Sequence, residues 1–215
     1  MFITFEGVDG SGKTTQVREL IPFLSDQDYD AKKVREPGGT VIGDEIRRLL
    51  LQDFDNAELH PRGELLLFCA SRAQLIADVI QPHLEGGGVV ISDRYIDSTY
   101  AYQGYGHGIN LKTLKQINTF ATGGLLPDVT FFLDIEPETA LKRRAEGMLF
   151  GEEWNRMDAK ELAFHQRVYT GYKELMLAEP ARFVRINADQ PQPTVQQAIR
   201  AAIAEWLPLK RPTKG

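Results

Sequence analysis

Gly7-Val8-Asp9-Gly10-Ser11-Gly12-Lys13-Thr14 stands directly after the apolar run Phe2-Ile3-Thr4-Phe5 and ahead of an amphipathic helical pattern. A glycine-rich loop between a strand and a helix, closed by Lys-Thr, is the pattern that cradles the phosphates of a nucleoside triphosphate. The glycines let backbone N–H groups line a concavity for phosphate oxygens, Lys13 reaches the β- and γ-phosphates, and the Thr14 hydroxyl suits Mg²⁺. Gly7, Val8, Asp9, Gly10, Ser11, Gly12, Lys13, Thr14 and Thr15 are therefore the candidate nucleotide-binding residues. A glycine-rich turn with an incidental lysine is the plain alternative, and the strand-loop-helix context argues against it. The loop identifies a nucleotide and leaves the reaction open.

Working outward, short β-branched or aromatic runs recur at Phe2 to Phe5, Lys32 to Arg35, Gly88 to Ser92, Val129 to Ile135 and Arg182 to Ile186, with helical stretches between them. That alternation predicts an α/β fold with a parallel sheet of about five strands and helices on both faces. Val89-Val90-Ile91 and Val129-Thr130-Phe131-Phe132-Leu133 are apolar at consecutive positions, as strands covered on both faces are. Helix one carries Val17, Leu20, Ile21 and Leu24 on one face, and Pro22 is expected to bend it. Later helices are expected at Gly43 to Leu51, Gly63 to Leu84, Leu111 to Ala121, Pro137 to Ala145, Ala159 to Ala178 and Pro193 to Trp206. Glu36-Pro37 follows strand two and Asp93-Arg94-Tyr95 follows strand three, so three strand ends converge on one crevice with the phosphate loop.

The chain has 215 residues, of which 42% are hydrophobic and 26% charged, which suits one domain over residues 1–209. Residues 210–215 read as a basic, mobile tail. No apolar run approaches the ~20 residues that span a bilayer, and no basic-then-apolar leader precedes the first strand, so a cytoplasmic location is the expectation. The net charge of −5 argues against a general nucleic-acid binder, and an anionic substrate must then meet local arginines. Cys69 is the only cysteine and reads as a small buried apolar group.

Arg35-Glu36-Pro37-Gly38-Gly39-Thr40, Leu67-Phe68-Cys69-Ala70-Ser71-Arg72 and Asp93-Arg94-Tyr95-Ile96-Asp97-Ser98-Thr99-Tyr100-Ala101-Tyr102-Gln103, in this order and spacing, resemble the bacterial thymidylate kinases. Pro127-Asp128-Val129-Thr130 and Asn155-Arg156-Met157-Asp158 extend the likeness, which runs from the first strand to about Ile203. The resemblance implies a P-loop NTPase three-layer fold and ATP-dependent, Mg²⁺-assisted phosphorylation of dTMP to dTDP by a homodimer, with neither nucleic acid nor membrane as partner. Phe68 and Arg72 lie four apart on one helix face, where the family stacks and hydrogen-bonds thymine; the plain alternative makes Phe68 a core residue. By the same likeness Thr99 and Gln103 line the base pocket, Ser98 belongs to the substrate-binding set, and Tyr102 packs on the deoxyribose and disfavours a 2′-hydroxyl. Asp9 accepts from the 3′-hydroxyl and is not a proton-abstracting base.

Asp93 ends an apolar strand where a carboxylate can hold Mg²⁺ together with Thr14. Arg94 and Arg47 match the arginines that clamp the acceptor phosphate, with a surface ion pair as the alternative for each, and Arg48 is expected to face solvent. Glu36 and Pro37 belong to the substrate side, and their turn resembles one that carries a cis peptide bond. Residues 147–158 are the expected lid, with Arg156 reaching the transferring phosphoryl and Arg143 lying over adenine. The match loosens here: family members with glycine at the position of Gly10 rely on several basic lid residues, and this chain has Ala145 and Glu146 where further basics often stand. Lys13, Arg94, Arg156 and Asp93 form the expected catalytic set. A kinase for another acceptor and a non-catalytic nucleotide switch remain the alternatives. Asn155-Arg156-Met157-Asp158 is not the Asn-Lys-x-Asp guanine motif of such switches.

Overall fold

Every strand of the sheet runs parallel to its neighbours, in the order β2-β3-β1-β4-β5, in a computed structural model that describes residues 1–52, 59–149 and 160–207. The strands are β1 (Phe2–Glu6), β2 (Ala31–Arg35), β3 (Val89–Asp93), β4 (Val129–Asp134) and β5 (Phe183–Asn187). β1 and β4 are buried at every position and β3 at all but its last, as the continuous apolar runs require. β2 and β5 take the edges and mix buried with exposed residues. Each strand begins or ends within one or two residues of the place its sequence pattern gives it.

The helices around the sheet are α1 (Lys13–Ser25), α2 (Val41–Leu51), α3 (Pro61–Leu75), α4 (Gln81–Glu85), α5 (Ile96–Thr99), α6 (Leu111–Thr122), α7 (Pro137–Leu149), α8 (Leu162–Ala178) and α9 (Gln192–Trp206). Local chemistry sets several of their ends. The Thr40 side chain accepts from the Gly43 N–H to start α2, Pro61 opens α3, and the Asn110 side chain accepts from Lys112 and Thr113 to start α6. α1 continues unbroken through Pro22.

Two departures from the sequence pattern matter. The expected single helix from Gly63 to Leu84 is α3 joined to α4 through a π-helical stretch, Ile76–Ile80. The second is α5, unforeseen because its four residues are mostly polar and too few to show helical periodicity. It runs into another π-helical stretch, Tyr100–Gly106, whose wider turn is a form that clusters at functional sites. Of the expected lid, residues 147–149 are the end of α7. Residues 150–159, with Arg156, and the tail 210–215 lie outside the described residues.

The sheet order puts the carboxyl ends of β2, β3 and β1 side by side. β1 delivers the phosphate loop, β2 the Glu36-Pro37 turn with its cis peptide bond, and β3 the Asp93-Arg94-Tyr95 turn. Beneath them Phe2 packs edge-on to Tyr95 and Phe5 lies against Phe131, anchoring the three strand ends in the core.

Candidate active site

The loop is shaped by glycine. Gly7, Gly10 and Gly12 have φ of 140°, 81° and 88°, values that side-chain-bearing residues rarely adopt. Gly10 is constrained twice, because a Cβ there would run into the Ala140 carbonyl of α7. α1 starts immediately after Gly12 with no acidic residue in its first turn, so its unpaired N–H groups and dipole present positive charge to the loop. Lys13 curls over the concavity and donates to the Gly7 and Val8 carbonyls at 3.0 and 2.8 Å and to Ser11 Oγ at 3.2 Å. Burial, with Arg94 nearby, pulls its ammonium down to about 8, so this cation is poised to strengthen when phosphate arrives. Thr14 Oγ1 donates to Asp93 Oδ2 at 2.5 Å. A hydroxyl and a carboxylate meeting at a helix start are the hard oxygen donors that Mg²⁺ takes, so these residues fit that ion.

Arg94 stands at the centre. Its backbone is left-handed, φ 74°, an arrangement a non-glycine residue holds only when its surroundings enforce it. Here they do: Arg94 N–H donates to the Phe5 carbonyl, Ser92 Oγ donates to the Arg94 carbonyl, and Glu6 accepts from the N–H groups of Tyr95 and Ser98 at 2.8 and 3.2 Å. The guanidinium reaches Asp9 Oδ1 at 2.7 Å, Ser98 Oγ at 2.9 Å and the Gly7 carbonyl at 3.1 Å, and sits over the Tyr102 ring. Tyr102 also donates to Asp9 Oδ2 at 2.8 Å. Burial works against the charge on Asp9, yet Arg94 and Lys13 outweigh it and hold the carboxyl well below the usual range. Asp9 is thus a charged hydrogen-bond acceptor at neutral pH and a poor base.

Two chambers open on either side of this centre. The loop chamber is lined by Asp9, Gly10, Gly12, Lys13, Thr14, Thr15, Asp93 and Arg143, with Lys33, Arg35 and Arg144, which the sequence reading did not assign. Counting the shared Arg47, Arg94 and Glu36, seven cationic side chains face three carboxylates, an excess of four positive charges in a chain of net charge −5. Such a cleft concentrates polyanions. Arg143 is fixed by bonds to the Ala188 carbonyl and Asp189, which join α7 to the loop before α9.

The inner chamber is lined by Asp9, Glu36, Pro37, Arg47, Phe68, Arg72, Arg94, Ser98, Thr99, Tyr102 and Gln103, with Leu51 as its one further residue. The structure therefore brings together all eleven positions named from sequence for the acceptor. Phe68 is half-buried, lines the chamber and is not among the residues of the hydrophobic core cluster, which favours the base-contact reading over the core one. Arg72 is 1% exposed and donates four hydrogen bonds, to Glu36 Oε2, Thr99 Oγ1, Asn118 Oδ1 and the Tyr95 carbonyl, with its Nη2 also in an ion pair with Glu36. It is a fixed cationic wall. The Glu36 carboxyl is raised by burial against the pull of Arg72, and its Oε1 has no hydrogen-bond partner while the residue faces both chambers. Arg47 donates to the Pro37 carbonyl at 3.0 Å and makes no ion pair among the described residues, whereas Arg48 turns out to solvent and pairs with Glu45.

Sequence reasoning missed the layer behind these residues. Glu6, fully buried, accepts from Ser98 Oγ at 2.6 Å and from the Tyr172 hydroxyl at 2.9 Å, and burial with the nearby Asp97 pushes it up to about 7 despite Arg94. Its one local signal is an acidic residue closing an apolar strand just before a phosphate loop. Tyr172, Asn118 and Glu64 carry no local signal, since each meets the site only through tertiary packing. Lys33 and Arg35 were legible as alternate residues on one face of β2.

The family model for thymidylate kinase matches residues 5–199. The chain is 48% identical to the thymidylate kinase of Roseiflexus castenholzii, over 96% of this chain and 94% of that one. It is 45% identical to that of Pelodictyon phaeoclathratiforme, over 97% of both. Among solved structures, the thymidylate kinase from Ehrlichia chaffeensis superposes with a TM-score of 0.76 at 33% identity, covering 94% of this chain and 98% of that one. With the loop, the arginine centre and both chambers in place, the chain belongs to the thymidylate kinase family.

Proposed function

We propose that the protein transfers the terminal phosphoryl group of ATP to the phosphate of dTMP, giving ADP and dTDP. One observation carries this reading: Asp9, Glu36, Arg47 and Arg94 line both chambers, so a triphosphate in one and a monophosphate in the other meet end to end at their seam. The acceptor phosphate is anionic at neutral pH and needs no general base, in keeping with an Asp9 that stays ionised. Arg94 and Arg47 hold that phosphate, Asp9 takes a sugar hydroxyl, and the Tyr102 ring closes the side where a 2′-hydroxyl would stand. Lys13, anchored on its own loop, exchanges carbonyl partners for phosphate oxygens. Thr14 and Asp93 would hold Mg²⁺, which supplies charge neutralisation on the donor phosphates when bound. Arg143 and Arg156 are the proposed contacts to adenine and to the transferring phosphoryl.

A homodimer is part of the proposal. α3 and α6 pack side by side and expose Leu66 and Phe120, apolar side chains that a second copy would cover. So is a cytoplasmic location; no described helix is long and apolar enough to cross a membrane. The test is ADP release with ATP, Mg²⁺ and each nucleoside monophosphate in turn. Strong turnover with dTMP and little with the rest is expected. Preference for another acceptor would overturn the base assignment, and turnover of none would overturn the enzyme.

A further inference from the structure

Behind the inner chamber, Glu64 of α3 is fully buried and its Oε1 accepts from the Gln103 side-chain amide, Nε2, at 2.8 Å. Gln103 is itself 2% exposed and lies on the π-helical stretch that also presents Tyr102 to the chamber. An amide has one donor branch and one acceptor branch, and a carboxylate only accepts. Reversing the amide would set its oxygen against a carboxylate oxygen away from water, where two acceptors facing each other are costly. The NH₂ branch is thereby committed to Glu64, which leaves the oxygen branch for the chamber. Beside it stands Arg72, whose fixed positive charge favours an electron-rich carbonyl and disfavours an amino group.

We propose that Glu64 is a positioning residue that fixes the orientation of the Gln103 amide, so that the chamber selects an imide edge, N–H beside C=O, over an amino edge, ring nitrogen beside NH₂. This rests on the reading of the inner chamber as a pyrimidine site. Glu64 then determines discrimination between dTMP and dCMP without touching either. The His107 ring stands beside the same Glu64 oxygen, with Nε2 at 3.5 Å.

The experiment compares kcat/KM for dTMP, dCMP and N3-methyl-dTMP in the wild type, Glu64→Gln, Gln103→Leu and the double variant, with KM for ATP in each. Glu64→Gln frees the amide to turn, and the dTMP:dCMP ratio should fall about tenfold with the ATP constant unchanged. In the Gln103→Leu background the same substitution should leave the ratio where it is, and N3-methylation should cost little. A ratio untouched by Glu64→Gln, or shifted equally in both backgrounds, would overturn the proposal. If Glu64→Gln does not fold, NMR of the wild type decides. The Gln103 NH₂ signal, assigned by its loss in Gln103→Leu, should be shielded from exchange and stay so with dTMP bound; a signal released on binding overturns it. Wild-type turnover of dTMP in the same series tests the underlying function separately.

Discussion

The loop chamber is built from a contiguous run of backbone and a surplus of cations, whereas the inner chamber is assembled from side chains on the turns after β1, β2 and β3, three helices and a π-helical stretch, tied by a hydrogen-bond network. The contrast follows from the ligands. A phosphate is recognised by charge and by N–H groups that any sequence supplies once glycine permits the turn. A nucleobase edge is recognised by a fixed pattern of donors and acceptors, so every side chain that reads it must be locked by another. Arg72 with its four donated hydrogen bonds and Gln103 held by Glu64 are that locking made visible.

The two chambers share Arg94, and removing it is the most damaging way to test their connection. Arg94→Ala deletes bonds to Asp9, Ser98 and Gly7 at once and takes from the Asp9 carboxylate its ion-pair partner. A charge-stabilising donor of this kind is worth about 3 kcal/mol, so kcat should fall ~100-fold or more, with affinity for both nucleotides reduced. Steady-state kinetics checks this, and near-normal turnover would detach Arg94 from the reaction.

Gly10→Ala attacks the loop chamber alone. The added methyl must occupy the place of the Ala140 carbonyl while the backbone keeps φ 81°, so α7 has to retreat and the loop loses its shape. KM for ATP should rise at least tenfold with a lower melting temperature, while calorimetric dTMP binding stays near wild type. Equal loss of both ligands would mean that the chambers are mechanically one. Phe68→Ala is the converse. It should raise KM for dTMP about tenfold through lost ring contact and leave the ATP constants little changed. Loss of folding instead would return Phe68 to the core.

The same contrast explains what the sequence reveals. The strand pattern, the phosphate loop and the strand-end motifs are local, and the phosphate-holding part of the loop chamber is legible from residues 7–15 with Asp93, whereas Lys33, Arg35 and Arg144 join it only in the fold. The resemblance to a known family carried the inner chamber, because Phe68, Arg94 and Gln103 lie far apart in the chain and no spacing rule joins them. Neither route reaches Glu6, Glu64, Asn118 or Tyr172. These residues act on other side chains, and their burial is a property of the packed molecule. α5 and the π-helical stretch after it escaped for a related reason: Tyr100, Tyr102 and Gln103 are placed by contacts to Asp9, Arg94 and α8, which override weak helical propensity.

Glu6 offers the mildest and most selective test, since it supports both chambers and faces neither. The unfolded chain releases its proton near 4.5, whereas the folded protein keeps it up to about 7. Between those values the native state binds more protons than the unfolded one, so this group's contribution to stability is complete below 4.5, shrinks as pH rises and is gone above about 7. Glu6→Gln removes the titration and keeps the geometry. The amide oxygen can accept from the Tyr95 and Ser98 N–H groups, and the NH₂ can donate to Ser98 Oγ and the Tyr172 hydroxyl, both of which can accept. Unfolding measured from pH 5 to pH 8 should therefore show the variant gaining on the wild type as pH rises, by on the order of 1–3 kcal/mol across the window. Turnover should stay within a few-fold, because Arg94 keeps its partners. Parallel stability curves would show Glu6 to be ionised throughout, and a hundredfold loss of turnover would show that its charge, and not its shape, holds Arg94 between the two chambers.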